Sequence, residues 1–282
     1  MAGHRTPAAT ERLRAALRCP ACGASVVAEA AALASAPTWR PWSDAGALRC
    51  ERGHTFAVLG GVPDFLGDAH AGRITPFQRV MQFPPVVAVY ERWWRPLGFW
   101  VASRWDVAEA VAEVVRLCEP ARRALVVDLG CGPGNYTRAL WHGGAATVVG
   151  VDLSPVMLAR AASSGGEGLC FVRASAMDLP FADASVDAVC CAGALHLFDD
   201  PDRAMREIAR VLVRGGVLVG QTVVRPAGGA ARAAAAILDR YVRFGFFDGA
   251  ADLEARLRAA GLTPSAGRTQ GIAHLFRAEV PA

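Results

Sequence analysis

Two aspartates bracket a glycine-rich turn. Asp128 lies in Val126-Val127-Asp128-Leu129-Gly130-Cys131-Gly132-Pro133-Gly134-Asn135, and Asp152 comes 22 residues after Gly130. Gly130 and Gly132 allow a tight turn and close backbone approach to a ligand. A helix beginning just after the turn presents unpaired N–H groups there. A carboxylate at the end of the next strand, Asp152, can accept both hydroxyls of a ribose, as nucleoside sites at the carboxyl ends of parallel strands require. The spacing is G-x-G-x-G, not the G-x-G-x-x-G that cradles a dinucleotide pyrophosphate. A carboxylate at Asp128 would repel a phosphate but attract an amine or a sulfonium. The charge pattern therefore selects S-adenosylmethionine over NAD, with Asp128, Gly130, Cys131, Gly132, Gly134, Asn135 and Asp152 expected around it.

A second set of chemically capable residues lies earlier. Cys19 and Cys22 form a C-x-x-C pair, and Cys50 with His54 a C-x-x-x-H pair. Three thiolates and one imidazole suit tetrahedral zinc in a closed, structural site with no open coordination position. The competing reading is three unrelated cysteines, but the surrounding segment is too short and polar to fold by apolar burial alone.

The elements that must position these groups follow from pattern. From residue 124 onward, apolar runs alternate with helical periodicity. Strands are expected at 124–129, 147–153, 169–173, 186–192, 217–224, 263–267 and 272–280, and helices at 136–142, 203–213, 230–244 and 252–260. Such alternation predicts an α/β, Rossmann-like, mostly parallel seven-stranded sheet with helices on both faces. The expected organisation is a flexible, partly helical lead at 1–18, a zinc-ribbon-like module at 19–67, and a helical, aromatic-rich cap at 75–120 with its helix at 102–117. A core at 121–282 follows, with an inserted helix at 229–247.

The stretch 124–225 resembles the class I S-adenosylmethionine-dependent methyltransferases, most closely the branch containing ubiquinone and menaquinone methyltransferases. The blocks that carry the resemblance are the glycine turn, Val149-Gly150-Val151-Asp152-Leu153-Ser154-Pro155-Val156-Met157-Leu158, Asp178-Leu179-Pro180-Phe181, Ser185-Val186-Asp187-Ala188-Val189 and Arg210-Val211-Leu212-Val213-Arg214-Gly215-Gly216. It implies Asp128 near the methionine amine, Asp152 on the ribose with Leu153 and Met157 beside it, and the loop Ser175-Ala176-Met177 around the adenine. The family often has an acidic residue where this chain has Ser175, whose hydroxyl is a weaker, uncharged acceptor. The early module resembles the zinc segment of large-subunit rRNA guanine methyltransferases. Gly60-Gly61-Val62-Pro63-Asp64-Phe65-Leu66 instead resembles a segment preceding plastid-type methyltransferases.

The acceptor side is less specified. His196, after the fourth core strand, is a candidate general base or a packing residue. Tyr90, Trp93, Trp94 and Tyr241 are candidates for lining a pocket for a flat acceptor, or for ordinary packing. The fourth strand ends Cys190-Cys191-Ala192-Gly193, lacking the Pro-Pro-aromatic loop of amino-directed DNA and adenine methyltransferases and the Pro-Cys context of a cytosine-directed thiolate. All 30 basic side chains are arginines, spread along the chain with a net charge of +4, which neither demands nor excludes RNA. Without an apolar leader or spanning segment, a reducing cytoplasm is the expected compartment. A small-molecule methyltransferase leads, ahead of an rRNA guanine methyltransferase and of a non-catalytic cofactor-binding scaffold.

Overall fold

The computed structural model describes residues 7–28, 46–66, 103, 105–163, 169–226, 228–242 and 245–282. The aromatic stretch containing Tyr90, Trp93 and Trp94, and the side chain of Tyr241, lie outside the described residues.

The chain opens with helix α1 (Pro7–Ala16), then a small antiparallel sheet of β1 (Val26–Ala28), β2 (Ala47–Cys50), β3 (Thr55–Leu59) and β4 (Val62–Pro63), in that order. Helix α2 (Val107–Cys118) leads into the core. There β5 (Leu125–Leu129), α3 (Asn135–His142), β6 (Thr147–Asp152), α4 (Pro155–Ser163), β7 (Leu169–Arg173) and β8 (Val186–Ala192) alternate. The chain ends with α5 (Pro201–Val211), β9 (Leu212–Val223), α6 (Gly229–Val242), α7 (Ala250–Ala259), β10 (Thr263–Gln270) and β11 (Ala273–Glu279).

The seven core strands stand in the order β10-β11-β9-β8-β5-β6-β7. The five from β9 to β7 run parallel, and β11 and β10 add antiparallel. The chain winds outward from β5 to β7, then crosses back to place β8 on the other side of β5. That reversal opens a crevice at the carboxyl ends of β5 and β8, where ligands of open α/β sheets bind.

Both faces of the parallel strands are covered, so β5 to β8 are mainly apolar, whereas the edge strand β10 is polar and mostly exposed. On one face Val126, Val148, Ala188, Cys190, Val217 and Val219 pack under α2, α3 and α4. On the other, Leu125, Val127, Val149, Val151, Val189 and Leu218 pack under α5 and α7. The crossover from β7 to β8 contains no helix, and α1 and the small sheet lie on this second face instead. Leu13, Ala16, Leu17, Val26, Leu48, Phe56 and Phe65 join the main core there.

The helical part of the lead is α1, which buries Leu13 and Ala16, and Leu17 pairs with Phe181. Two expected helix bounds need correction. The helix expected from 102 starts at Val107, because the Asp106 carboxylate accepts from the Ala108 and Glu109 amides at 2.7 and 3.2 Å and caps it there. The helix expected to reach 213 ends at Val211, because Leu212 already pairs with Val186. Among the described residues no helix is long and apolar enough to cross a membrane.

Candidate nucleoside site and metal centre

The glycine turn sits in the crevice. Gly130, Gly132 and Gly134 all have positive φ, at 70, 52 and 82°. Their reasons differ. A Cβ on Gly130 would collide with the Ala194 side chain, and one on Gly134 would crowd Arg138 and Ala161, so these two serve packing. A Cβ on Gly132 would meet nothing within 4 Å. Its backbone faces open space, as a cradle for a ligand must.

Asp128 is the next-to-last residue of β5 and only 2% exposed. Its Oδ2 accepts from the Thr137 hydroxyl at 2.6 Å, which fixes the carboxylate against the first turn of α3. Burial raises its carboxyl from 3.8 to about 6, and the nearby charge of Asp152 pushes the same way against the Thr137 hydrogen bond. Asp152 ends β6. Its Oδ2 accepts from the Gly132 amide and its Oδ1 from the Ser154 amide, each at 2.8 Å. Burial raises this carboxyl too, opposed by those amides. One carboxylate thus ties the glycine turn to the loop after β6, with lone pairs left to accept from a ligand. Two buried carboxylates around an open cradle favour a cation and disfavour a pyrophosphate.

The remaining expected residues cluster nearby in differing roles. Cys131 is buried, and Asn135 begins α3 with its side chain accepting from Arg138 at 2.7 Å. The Leu153 carbonyl accepts from Arg173 Nε at 3.0 Å, and the Met157 amide donates to the Ser154 hydroxyl, the N-cap of α4, at 3.3 Å. Ser175 is buried and its hydroxyl accepts from the Met177 amide at 3.1 Å, so it shapes the turn that holds Ala176 and Met177. The Met177 carbonyl is engaged by Arg203 at 3.0 Å.

His196 lies in a short turn after β8, 8% exposed, with Nδ1 3.4 Å from the Thr222 hydroxyl. Burial lowers it to about 4, so the imidazole is neutral and only weakly basic at neutral pH. Burial pushes the Cys190 and Cys191 thiols well up, which keeps both protonated and unreactive.

Three residues escaped the sequence reading. Thr137 holds Asp128, and Arg173 holds Leu153. Gln221 sits at the carboxyl end of β9 beside Ala192, one same-face row beyond the row joining Asp128, Cys190 and Val219. It is 6% exposed, its Oε1 accepts from the Tyr136 hydroxyl at 3.3 Å, and its Nε2 has no hydrogen-bond partner among the described residues. The available signal was two adjacent polar residues, Gln221-Thr222, in an otherwise apolar strand.

The four early ligand candidates also come together. The ligand atoms of Cys19, Cys22, Cys50 and His54 all lie within 4.8 Å of one another. Cys22 and Cys50 Sγ are 3.8 Å apart, and His54 Nδ1 stands 3.6 and 3.4 Å from the Cys19 and Cys50 sulfurs. Tetrahedral zinc with Zn–S of about 2.3 Å and Zn–N of about 2.0–2.1 Å requires S···S near 3.8 Å and S···N near 3.6 Å. The donor set and its spacing fit that ion. Each pair sits on a tight turn, with Gly23 donating to the Cys19 carbonyl at 2.8 Å and Gly53 to that of Cys50 at 2.9 Å.

Residues 127–220, which contain the glycine turn, Asp128 and Asp152, match the family model described as a methyltransferase domain. Among curated relatives, an uncharacterised chloroplastic methyltransferase of Arabidopsis thaliana is 34% identical over 155 residues, covering 50% of this chain and 43% of that protein. The demethylmenaquinone methyltransferase of Thermus thermophilus is 34% identical over 141 residues, covering 49% of this chain and 62% of its own. The chain thus spans about half the length of the curated relatives it matches. One chain of a solved complex containing the Haloferax volcanii Trm112 methyltransferase activator shares the fold, with a TM-score of 0.56 at 22% identity over 69% of this chain and 97% of that one. An S-adenosylmethionine-dependent methyltransferase from Mesorhizobium loti does so with a TM-score of 0.50 at 22% identity, over 61% and 96%.

Proposed function

We propose that this protein transfers a methyl group from S-adenosylmethionine to a small, hydrophobic or aromatic acceptor, and that zinc staples its N-terminal module. The observation that carries the reading is the buried Asp128 carboxylate beside the open Gly132 cradle. S-adenosylmethionine supplies an activated methyl on a sulfonium, which an acceptor lone pair attacks in line as the carbon–sulfur bond breaks toward sulfur.

The chain's own residues bind and orient. Asp128 takes the amine of the methionine moiety, Asp152 the ribose hydroxyls, and the turn of Ser175, Ala176 and Met177 receives the adenine edge. Gln221 offers its amide N–H to a hydrogen-bond acceptor at the crevice. Burial in low dielectric makes each contact stronger than it would be in water. The weak basicity of His196 favours a neutral hydrogen-bonding role over proton abstraction, in keeping with a reaction in which orientation supplies much of the rate. Tyr90, Trp93, Trp94 and Tyr241 remain candidates for the acceptor pocket. Cys19, Cys22, Cys50 and His54 are the zinc ligands in this reading.

The named activity of the Thermus relative motivates a quinone-like acceptor as the first to try. Calorimetry with S-adenosylmethionine, followed by transfer of a labelled methyl to demethylmenaquinone, tests the reading. Absence of binding sinks it. Binding with transfer only to rRNA reassigns the acceptor to RNA, and salt-sensitive RNA affinity would accompany that result.

A further inference from the structure

We propose that the Cys/His module is a positioning element for the nucleoside site, with Asp64 and Arg173 carrying its constraint to Leu153, so that metal occupancy and nucleoside binding strengthen one another. The proposal rests on the methyltransferase reading above.

Arg173 is the last residue of β7, and the module grips it twice. Its guanidinium meets Asp64 Oδ2 at 2.6 Å, with the two side chains 20 and 11% exposed, and its carbonyl accepts from the Phe65 amide at 2.9 Å. The same guanidinium donates through Nε to the Leu153 carbonyl at 3.0 Å. Leu153 adjoins Asp152, whose carboxylate orders both the glycine turn and the loop after β6. Asp64 is therefore two hydrogen bonds from the backbone that aims the ribose-binding carboxylate.

The module also holds the far end of the loop that leaves β7. The Arg18 amide donates to the Pro180 carbonyl at 3.0 Å, the Ala182 amide to that of Ala16 at 2.7 Å, and Leu17 bridges Phe181. The segment 173–182, which contains Ser175, Ala176 and Met177, is anchored at both ends by two arms of the module. No helix in the crossover does this work instead.

Those arms converge on the metal ligands. One runs from Leu17 directly into Cys19. The other runs from Asp64 back through β4 and β3, paired at Val58–Pro63 and Leu59–Val62, to His54. Cys19 Sγ and His54 Nδ1 stand 3.6 Å apart. An ion bound there clamps the two arms, and the clamped arms order the loop before the nucleoside arrives. Releasing the ion leaves that ordering to be done at binding, which lowers affinity. Linkage requires the converse effect on the metal by the same factor.

The experiment titrates S-adenosylhomocysteine into the full-length chain, zinc-loaded and chelator-stripped, and into zinc-loaded Arg173→Lys and Asp64→Asn. Lysine keeps a cation for Asp64, but its single nitrogen cannot also hold the Leu153 carbonyl. Affinity should fall about ten-fold in Arg173→Lys with zinc content unchanged, and the melting temperature should drop somewhat with the lost hydrogen bond to Leu153. Asp64→Asn and the stripped wild type should also bind more weakly, and saturating S-adenosylhomocysteine should raise zinc affinity by the factor that zinc raises its own. Should the stripped chain unfold, the Arg173→Lys arm still decides. Wild-type affinity in Arg173→Lys and Asp64→Asn, with only melting temperature lowered, would overturn the proposal. Failure of the zinc-loaded wild type to bind at all would overturn the methyltransferase reading beneath it.

Discussion

Asp128→Asn removes a charge that the fold buries at a cost, which the Thr137 hydroxyl offsets in part and the proposed cationic ligand would offset further. In the folded chain burial raises this carboxyl from 3.8 to about 6. Between those values the folded state holds a proton that the unfolded state has lost. Stability therefore declines as pH rises from about 4 to about 6, and the full penalty is present above about 6. About two pH units at 1.36 kcal/mol each give a penalty of about 3 kcal/mol for the ligand-free protein at neutral pH. Asparagine keeps an amide oxygen as acceptor for the Thr137 hydroxyl, 2.6 Å from the present carboxylate. Its new N–H groups find only weak acceptors beside Cys190, which trims the gain to about 1–3 kcal/mol. At about 2–4 °C per kcal/mol, the melting temperature of Asp128→Asn should rise by several degrees at pH 7.5 and match the wild type near pH 4. S-adenosylhomocysteine affinity should fall about 30- to 100-fold, because its amine loses a buried ionic partner. Scanning fluorimetry across pH 4–8, with calorimetry at pH 7.5, reads both effects. A variant less stable than wild type at pH 7.5, or a difference that does not change with pH, would refute the reasoning.

Thr137→Val removes the hydrogen bond that lowers the Asp128 carboxyl, so the pH at which S-adenosylhomocysteine binding is half lost should move upward from about 6, which calorimetry over a pH series measures. The glycines of the turn should separate in a melting and binding comparison. Gly130→Ala, colliding with Ala194, should cost about 2 kcal/mol or more of stability, whereas Gly132→Ala should melt within a few degrees of wild type yet weaken the nucleoside. Metal analysis should find about one zinc per wild-type chain and a large loss in Cys50→Ser, with stability falling in parallel. A Cys50→Ser protein that melts like the wild type would exclude a structural ion.

The glycine turn was legible because its determinants are local. A strand, a glycine turn, a helix start and an aspartate at the next strand end occupy fewer than thirty residues, and backbone geometry dictates their types. The Cys/His pairs were legible for the same reason, since each knuckle is a short turn with two ligands at fixed spacing. Less was visible where a residue acts on something remote. Arg173 read as the polar end of an apolar strand, and its partners became visible only in the fold: Asp64, 109 residues away at 2.6 Å, and the Leu153 carbonyl at 3.0 Å. The lead read as only partly helical because α1 is short and not strongly patterned. Its helix exists because Leu13 and Ala16 bury on a sheet face that the crossover leaves without a helix.

By itself, then, the sequence determined the alternation of strands and helices and the spacing of the aspartates, glycines and Cys/His pairs on which the donor and zinc proposals rest, because spacing, turn stereochemistry and periodicity act over one or two elements. The tertiary structure alone decided the place of β8 beside β5, the module's cover of the bare sheet face, and the burial that raises Asp128 and lowers His196. Each of those depends on which distant groups exclude water from one another, a property of the packed chain as a whole.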